Sequence, residues 1–314
     1  MAAYLAKRLA ASIVTAILAS AVIFVMVRSV PGDVVGQMLG QTSDPVAARA
    51  LREFFGLDLP VWQQYLGWLA RVASADFGTS WARGQPVLGM VTAALGVTLQ
   101  IAVTTLLVAT VIGVPLGILA AMYEGRWPDR VIQTFNLLGL AAPVFWTGLM
   151  LLVGVSAAFD WSPPLVYVGP TESLGDNLSI IALPILSLAV LQAAAYSQFV
   201  RQSVVSAFGQ DYVRTAIAKG VPTRIVFFKH VLRNIAIPLV TFMGLILIQI
   251  LGGAVIIESL FALPGLGRLL LSAIETRDYP VLQAGLLIVV AIAMLVNLAV
   301  DLLYRLIDPR VRLS

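Results

Sequence analysis

Six apolar runs, each about the length that crosses a bilayer, constrain what this chain can become. They lie near residues 9–27, 95–123, 131–159, 178–199, 235–257 and 281–304. Runs of that length are too long for the strands of a soluble sheet. Of the 314 residues, 60% are hydrophobic and only 11% are charged. An ordinary soluble domain carries about 25% charged residues. The expected fold class is therefore an all-α polytopic membrane protein with six transmembrane helices. Residues 9–27 follow Lys7 and Arg8, and Ala19-Ser20-Ala21 imitates a signal-peptidase site. That triplet sits inside the run, and the run exceeds the core of a signal peptide, so a retained first span is expected.

Charge sets the expected topology. Thirteen of the twenty Lys and Arg fall in segments that alternation places inside. The seven outside are Arg28, Arg49, Arg52, Arg71, Arg83, Arg268 and Arg277, mostly in a long first loop that weighs little in the positive-inside rule. Six spans with both termini cytoplasmic follow. The formal charge of +4 then has a topological cause and gives no reason to invoke nucleic acid. There is no Cys, which excludes disulfides and Cys-ligated metal, and the one His, His230, makes no metal site alone. Three blocks are expected: 1–30 with the first span, 31–92 as a helical insertion outside the membrane, and 93–314 as the core of five spans.

The most basic stretch is 210–238, which overlaps an inner loop over 200–234. It carries Arg214, Lys219, Arg224, Lys229 and Arg233, with Arg201 just upstream, against one acid, Asp211. Val213, Ala216, Ile217, Gly220 and Val221 recur at helical spacing along one narrow face. Gly220 before Pro222 is a helix stop, and a second helix is expected from Thr223. The spacing predicts a short helix–turn–helix held out from the membrane, its small-residue face open to another protein.

Several motifs carry a resemblance. Asp211-Tyr212-Val213-Arg214-Thr215-Ala216-Ile217-Ala218-Lys219-Gly220 is followed by Lys229-His230-Val231-Leu232-Arg233-Asn234 and Pro238. Upstream stand Pro31-Gly32-Asp33, Gly56-Leu57-Asp58-Leu59-Pro60, Gln64-Tyr65, Trp68-Leu69, Asp76-Phe77-Gly78 with Ser80, and Pro86-Val87. Downstream stand Phe261-Ala262-Leu263-Pro264-Gly265-Leu266-Gly267, Thr276-Arg277-Asp278-Tyr279-Pro280 and Asp308-Pro309-Arg310 with Arg312. In this order they resemble the B-type permease subunit of bacterial ATP-binding-cassette (ABC) importers of dipeptides and oligopeptides. The general permease motif begins Glu-Ala-Ala; the triplet here is Arg214-Thr215-Ala216, a departure shared by the peptide branch.

The resemblance implies the type I importer permease fold in a bacterial cytoplasmic (inner) membrane. It implies that Asp211, Arg214, Thr215, Ala216, Ala218, Lys219 and Gly220 form a coupling helix docking on an ATPase subunit. The implied partners are a homologous second permease, two ABC ATPases that hold ATP and Mg, an extracytoplasmic substrate-binding protein facing residues 31–92, and membrane lipid. No cofactor is expected on this chain. None of its three lysines, Lys7, Lys219 and Lys229, lies in G-x-x-x-x-G-K-[ST], so it has no ATPase site of its own.

Polar residues within the runs are Gln100, Gln133, Asn136, Gln192, Gln249 and Asn297. Each either bonds between helices or lines a path. Gln133, Asn136, Gln249 and Asn297 are the path candidates, and Glu258, at the outer end of the fifth run, is a candidate gate. Asp301 one turn before Arg305 reads as an ion pair. Gly113 and Gly117 have the spacing of close helix packing. Two other classes fit less well. An ion-driven carrier calls for mid-membrane ionisable groups or matched broken helices. An intramembrane hydrolase needs a nucleophile with a base in reach. Within the resemblance, nickel chelates, glutathione or other peptide-like cargo remain open.

Overall fold

A computed structural model describes residues 2–29, 34–39 and 44–307. The motifs at Pro31-Gly32-Asp33 and at Asp308-Pro309-Arg310 with Arg312 lie outside the described residues, as does the side chain of Arg305 in the expected Asp301 pair. Among the described residues the architecture is helical, with one isolated bridge between Thr79 and Pro86. The order is α1 Ala2–Ser29, α2 Val34–Leu39, α3 Pro45–Phe54, α4 Val61–Ala73, α5 Val87–Met122, α6 Trp127–Ala141 and α7 Val144–Phe159. Then come α8 Leu174–Phe208, α9 Asp211–Ala218, α10 Thr223–Val226, α11 Leu232–Leu260, α12 Leu266–Glu275 and α13 Tyr279–Ile307.

Among the described residues five helices are long and apolar enough to cross a membrane, and a bent pair, α6 with α7, makes a sixth span if counted as one. The single span expected over 131–159 is instead two helices. The two halves meet at 105°. Pro143 forces Ala142 into an extended conformation (φ −77°, ψ 123°) and supplies no amide to continue the ladder, so α6 stops and α7 restarts at Val144. Pro115, Pro184 and Pro238, by contrast, sit inside unbroken helices. Helix α5 starts at Val87, earlier than the apolar run, and its 36 residues span about 54 Å. That exceeds the roughly 30 Å apolar thickness of a bilayer.

The chain divides into two compact units: residues 1–95 with 269–294, and residues 96–268 with 295–314. In the first unit, α4 lies against α1. Tyr65 hydroxyl pairs with Ser20 Oγ at 2.9 Å, and Phe24 meets the rings of Tyr65 and Trp68 at 5.5 and 5.8 Å. The loop after α4 is fixed by Asp278, whose carboxylate accepts from the Ser80 hydroxyl and from the amides of Trp81 (3.1 Å) and Ala82 (3.4 Å). Asp278 is 2% exposed, and these bonds compensate its burial.

In the second unit α8 is the central helix, packed by α6, α7 and α11. Glycines allow the approach. A methyl group on Gly113 would stand 2.5 Å from the Ala193 carbonyl oxygen, and one on Gly117 would stand 2.6 Å from that of Ser197. The Gly113-x-x-x-Gly117 spacing therefore does seat α5 on α8. Gln100 is spent on the first turn of α8 and the loop before it. It donates to Asn177 Oδ1 at 2.5 Å and accepts from the Tyr167 hydroxyl at 2.9 Å.

Candidate functional site

The basic segment forms a folded corner at one end of α8. Asp211 opens α9, where a negative charge suits the helix dipole. The helix closes at Gly220, whose φ of +81° few other residues adopt. The Gly220 amide donates to Ile217 O at 2.9 Å, and the Val221 amide reaches back to Ala216 O at 3.1 Å, the Schellman closure. Nothing lies within 4 Å of a Cβ placed on Gly220. Its requirement is conformational, not steric. Pro222 then caps α10, and a π-helical turn, Phe227–Val231, joins α10 to α11 without a break.

Part of the apolar face expected to lie open to another protein is turned inward, against the chain itself. Val213 is fully buried. It packs with Val200 and Val204 of α8 and with Val226, Phe227, Val231 and Ile235, while Ala216 and Val221 lie against the same cluster. Burying a valine contributes about 1.5–3 kcal/mol, so α9 is fixed to its own chain by this residue. The exposed surface keeps Ile217 and Gly220 of that face and adds Tyr212, Arg214, Thr215, Ala218 and Lys219. Arg214 lies 3.8 Å from Asp211, but both side chains are largely in solvent (73% and 98% exposed), and a pair of that kind contributes little to stability. The corner thus presents a small apolar patch, Ile217 and Ala218, flanked by the exposed cations Arg214, Lys219 and Arg224.

Sequence reasoning missed what holds the base of this corner. Asp129 of α6 takes a two-pronged bond from Arg201 of α8, Nε at 2.6 Å and Nη2 at 2.7 Å. The same carboxylate accepts from the Gly125 amide at 2.9 Å. Asp129 is 5% exposed and Arg201 22%, and Glu124 stands 3.9 Å from the guanidinium. Arg201, read as one more basic loop residue, is neutralised inside the protein. The only sequence signal was an acid beside two arginines in a short turn.

The path candidates do not gather in one place. Asn136 is buried between α6 and α8 and donates to Ser197 Oγ at 3.1 Å. Gln133 is half-buried on α6, whereas Gln249 and Asn297 stand exposed on α11 and α13. Glu258, the candidate gate, is fully buried and occupied. It accepts from Thr98 Oγ1 at 2.5 Å and from the Arg268 amide at 3.1 Å, and Thr98 in turn accepts from the Leu266 amide at 2.8 Å. Gly265 lies against the carboxylate so closely that any side chain there would overlap it. The stretch from Phe261 to Gly267 is therefore a loop wrapped round Glu258, whose charge sits at the start of α12.

Comparison with known proteins agrees with this architecture. The family model "Binding-protein-dependent transport system inner membrane component" matches residues 113–313, and the N-terminal model of the same membrane components matches residues 1–106. The glutathione transport system permease protein GsiC of Escherichia coli is 37% identical over 309 residues, covering 98% of each chain. Proteins of that name from Shigella dysenteriae and Shigella boydii match to the same extent. A chain of the MetNI methionine ABC transporter, in an inward facing conformation, superposes with a TM-score of 0.57 over 71% of this chain and 98% of its own. At 16% identity that likeness speaks for the fold.

Proposed function

Because the chain belongs to the family of binding-protein-dependent transport system inner membrane components, we propose that it forms half of the pathway of an ATP-driven importer for short peptides, glutathione among them. The observation that carries the cargo reading is the 37% identity, along 98% of the chain, to glutathione permeases. Glutathione is itself a small peptide, so that relation and the peptide-branch motifs converge on one chemical class. A homologous second permease completes the pathway, two ATPase subunits bind ATP and Mg, and a binding protein delivers cargo on the far side of the membrane.

The exposed side of α9 is the docking surface for an ATPase. Ile217 and Ala218 seat in its groove, and Arg214 and Lys219 meet acidic groups there. ATP closure displaces the corner, α8 and α11 move with it, and the spans switch access as packed bodies. Both chain termini lie on the ATPase side.

The test is uptake into vesicles holding the permeases and ATPases, with the binding protein outside and ATP inside. Labelled glutathione and a labelled dipeptide are each expected to accumulate only with ATP. Accumulation driven by a proton or sodium gradient without ATP would overturn the reading. Ile217→Asp is expected to leave the permease inserted and to abolish both ATPase binding and uptake. Unchanged uptake would remove the assignment of this surface.

A further inference from the structure

The first unit carries a half-open cavity of about 530 Å³ that nothing above uses. Its volume suits a small organic molecule. Phe24, Trp68, Trp81 and Tyr279 supply aromatic wall, and Arg28 and Gln283 also line it. Gln283 is 4% exposed, yet its Nε2 has no acceptor among the described residues. Arg28 Nε is buried and equally without an acceptor. The Arg28 guanidinium lies over two rings, 5.3 Å from the centre of Phe24 and 5.5 Å from that of Tyr279. Rings hold a cation in place but accept no in-plane hydrogen bond. Two residues that line one cavity thus each carry a buried donor without an acceptor among the described residues, and one of the two is charged. Buried donors of this kind are costly to leave unpaired, and they mark where an acceptor belongs.

We propose that this cavity is a second substrate site on the permease itself, which takes the carboxylate end of a short peptide. The proposal rests on the peptide-import reading, which places the Arg28 end of α1 on the side where cargo arrives. Arg28 and Gln283 hold the terminal carboxylate, a planar acceptor that matches a guanidinium. The rings take the neighbouring side chain. Glu53 and Asp76 also line the cavity, with Arg71, so its walls carry both signs of charge. A zwitterion fits such walls better than a simple anion does. A peptide released by the binding protein is thereby kept in the pathway.

The experiment uses the whole membrane complex, without binding protein, in nanodiscs of phosphatidylcholine. The probes are labelled glycylphenylalanine and its C-terminal amide. The free acid is expected to bind, and the amide about tenfold or more weaker, the scale of one charged hydrogen-bonded contact. Arg28→Gln is expected to erase that difference, Arg28→Lys to retain part of it, and Gln283→Leu to weaken the acid several-fold. Equal binding of acid and amide to the unaltered complex overturns the proposal. So does retention of anionic phosphatidylglycerol at Arg28 that no peptide displaces, which gives the donors to a lipid phosphate. A complex that imports peptides with its binding protein yet fails this test loses only the second site. A complex that imports no peptide loses the function proposed above.

Discussion

At the scale of single residues, the buried Asp129–Arg201 pair is the most exposed to test. Removing the carboxylate leaves Arg201, 22% exposed, without its two-pronged partner, at a cost of about 1–3 kcal/mol. Asp129→Asn should lower the detergent melting temperature of the purified complex. The exchanged pair, Asp129→Arg with Arg201→Asp, should recover part of the loss. Equal melting of the single variant and the parent would show that the pair does not hold α6 to α8. At Gly220 the argument is purely conformational. Gly220→Val forces a β-branched residue to φ +81° and should cost about 1–2 kcal/mol in local helix closure. Read as amide exchange, protection of the Val221 amide should fall while that of α8 stays unchanged. The first effect could not be read from the chain alone. Asp129 and Arg201 are 72 residues apart, and periodicity says nothing of such a distance. The helix stop at Gly220, by contrast, is local chemistry and was legible.

At the scale of elements, the apolar runs marked every long helix, because one bilayer thickness imposes one length. Their ends were less legible. Helices α5 and α8 continue past the apolar region, where hydropathy falls but nothing stops a helix. The chain shows Pro143 in the middle of its run but not the 105° break made there. Pro115, Pro184 and Pro238 carry the same residue inside continuous helices, so packing decides. The α9 face was legible as a stripe, but whether it met a partner or its own chain was not. The loop round Glu258 makes a further prediction. Thr98→Val removes a bond to the carboxylate and the acceptor for the Leu266 amide. It should loosen residues 261–268, seen as faster proteolysis there, while α8 stays protected. Glu258→Gln, which keeps the shape, should be milder. If both left the loop as resistant as the parent, the carboxylate would not be its anchor.

At the scale of the whole molecule, the proposed docking requires that a force taken up at one corner move several helices with it. The second unit suits that task, since the corner is packed on α8 by Val213 and α8 is the helix against which α6, α7 and α11 lie. Filling a glycine of the α5–α8 seam tests this as a unit. Gly117→Leu should weaken assembly and uptake together, because its side chain meets the α8 backbone. Intact assembly with normal uptake would mean that the seam is looser than the glycines indicate. The π-helical turn at Phe227–Val231 has a consequence of a different kind. Such a turn places one residue more than an α-helix needs, so it acts as a phase shift between the corner and the span that follows. Each residue of an α-helix is worth about 100° of rotation. Deleting one residue from this turn should heal the helix and swing α9 by about that angle about the axis of α11, while the composition of the docking surface stays the same. A permease altered in this way would carry every docking side chain and present them in the wrong direction.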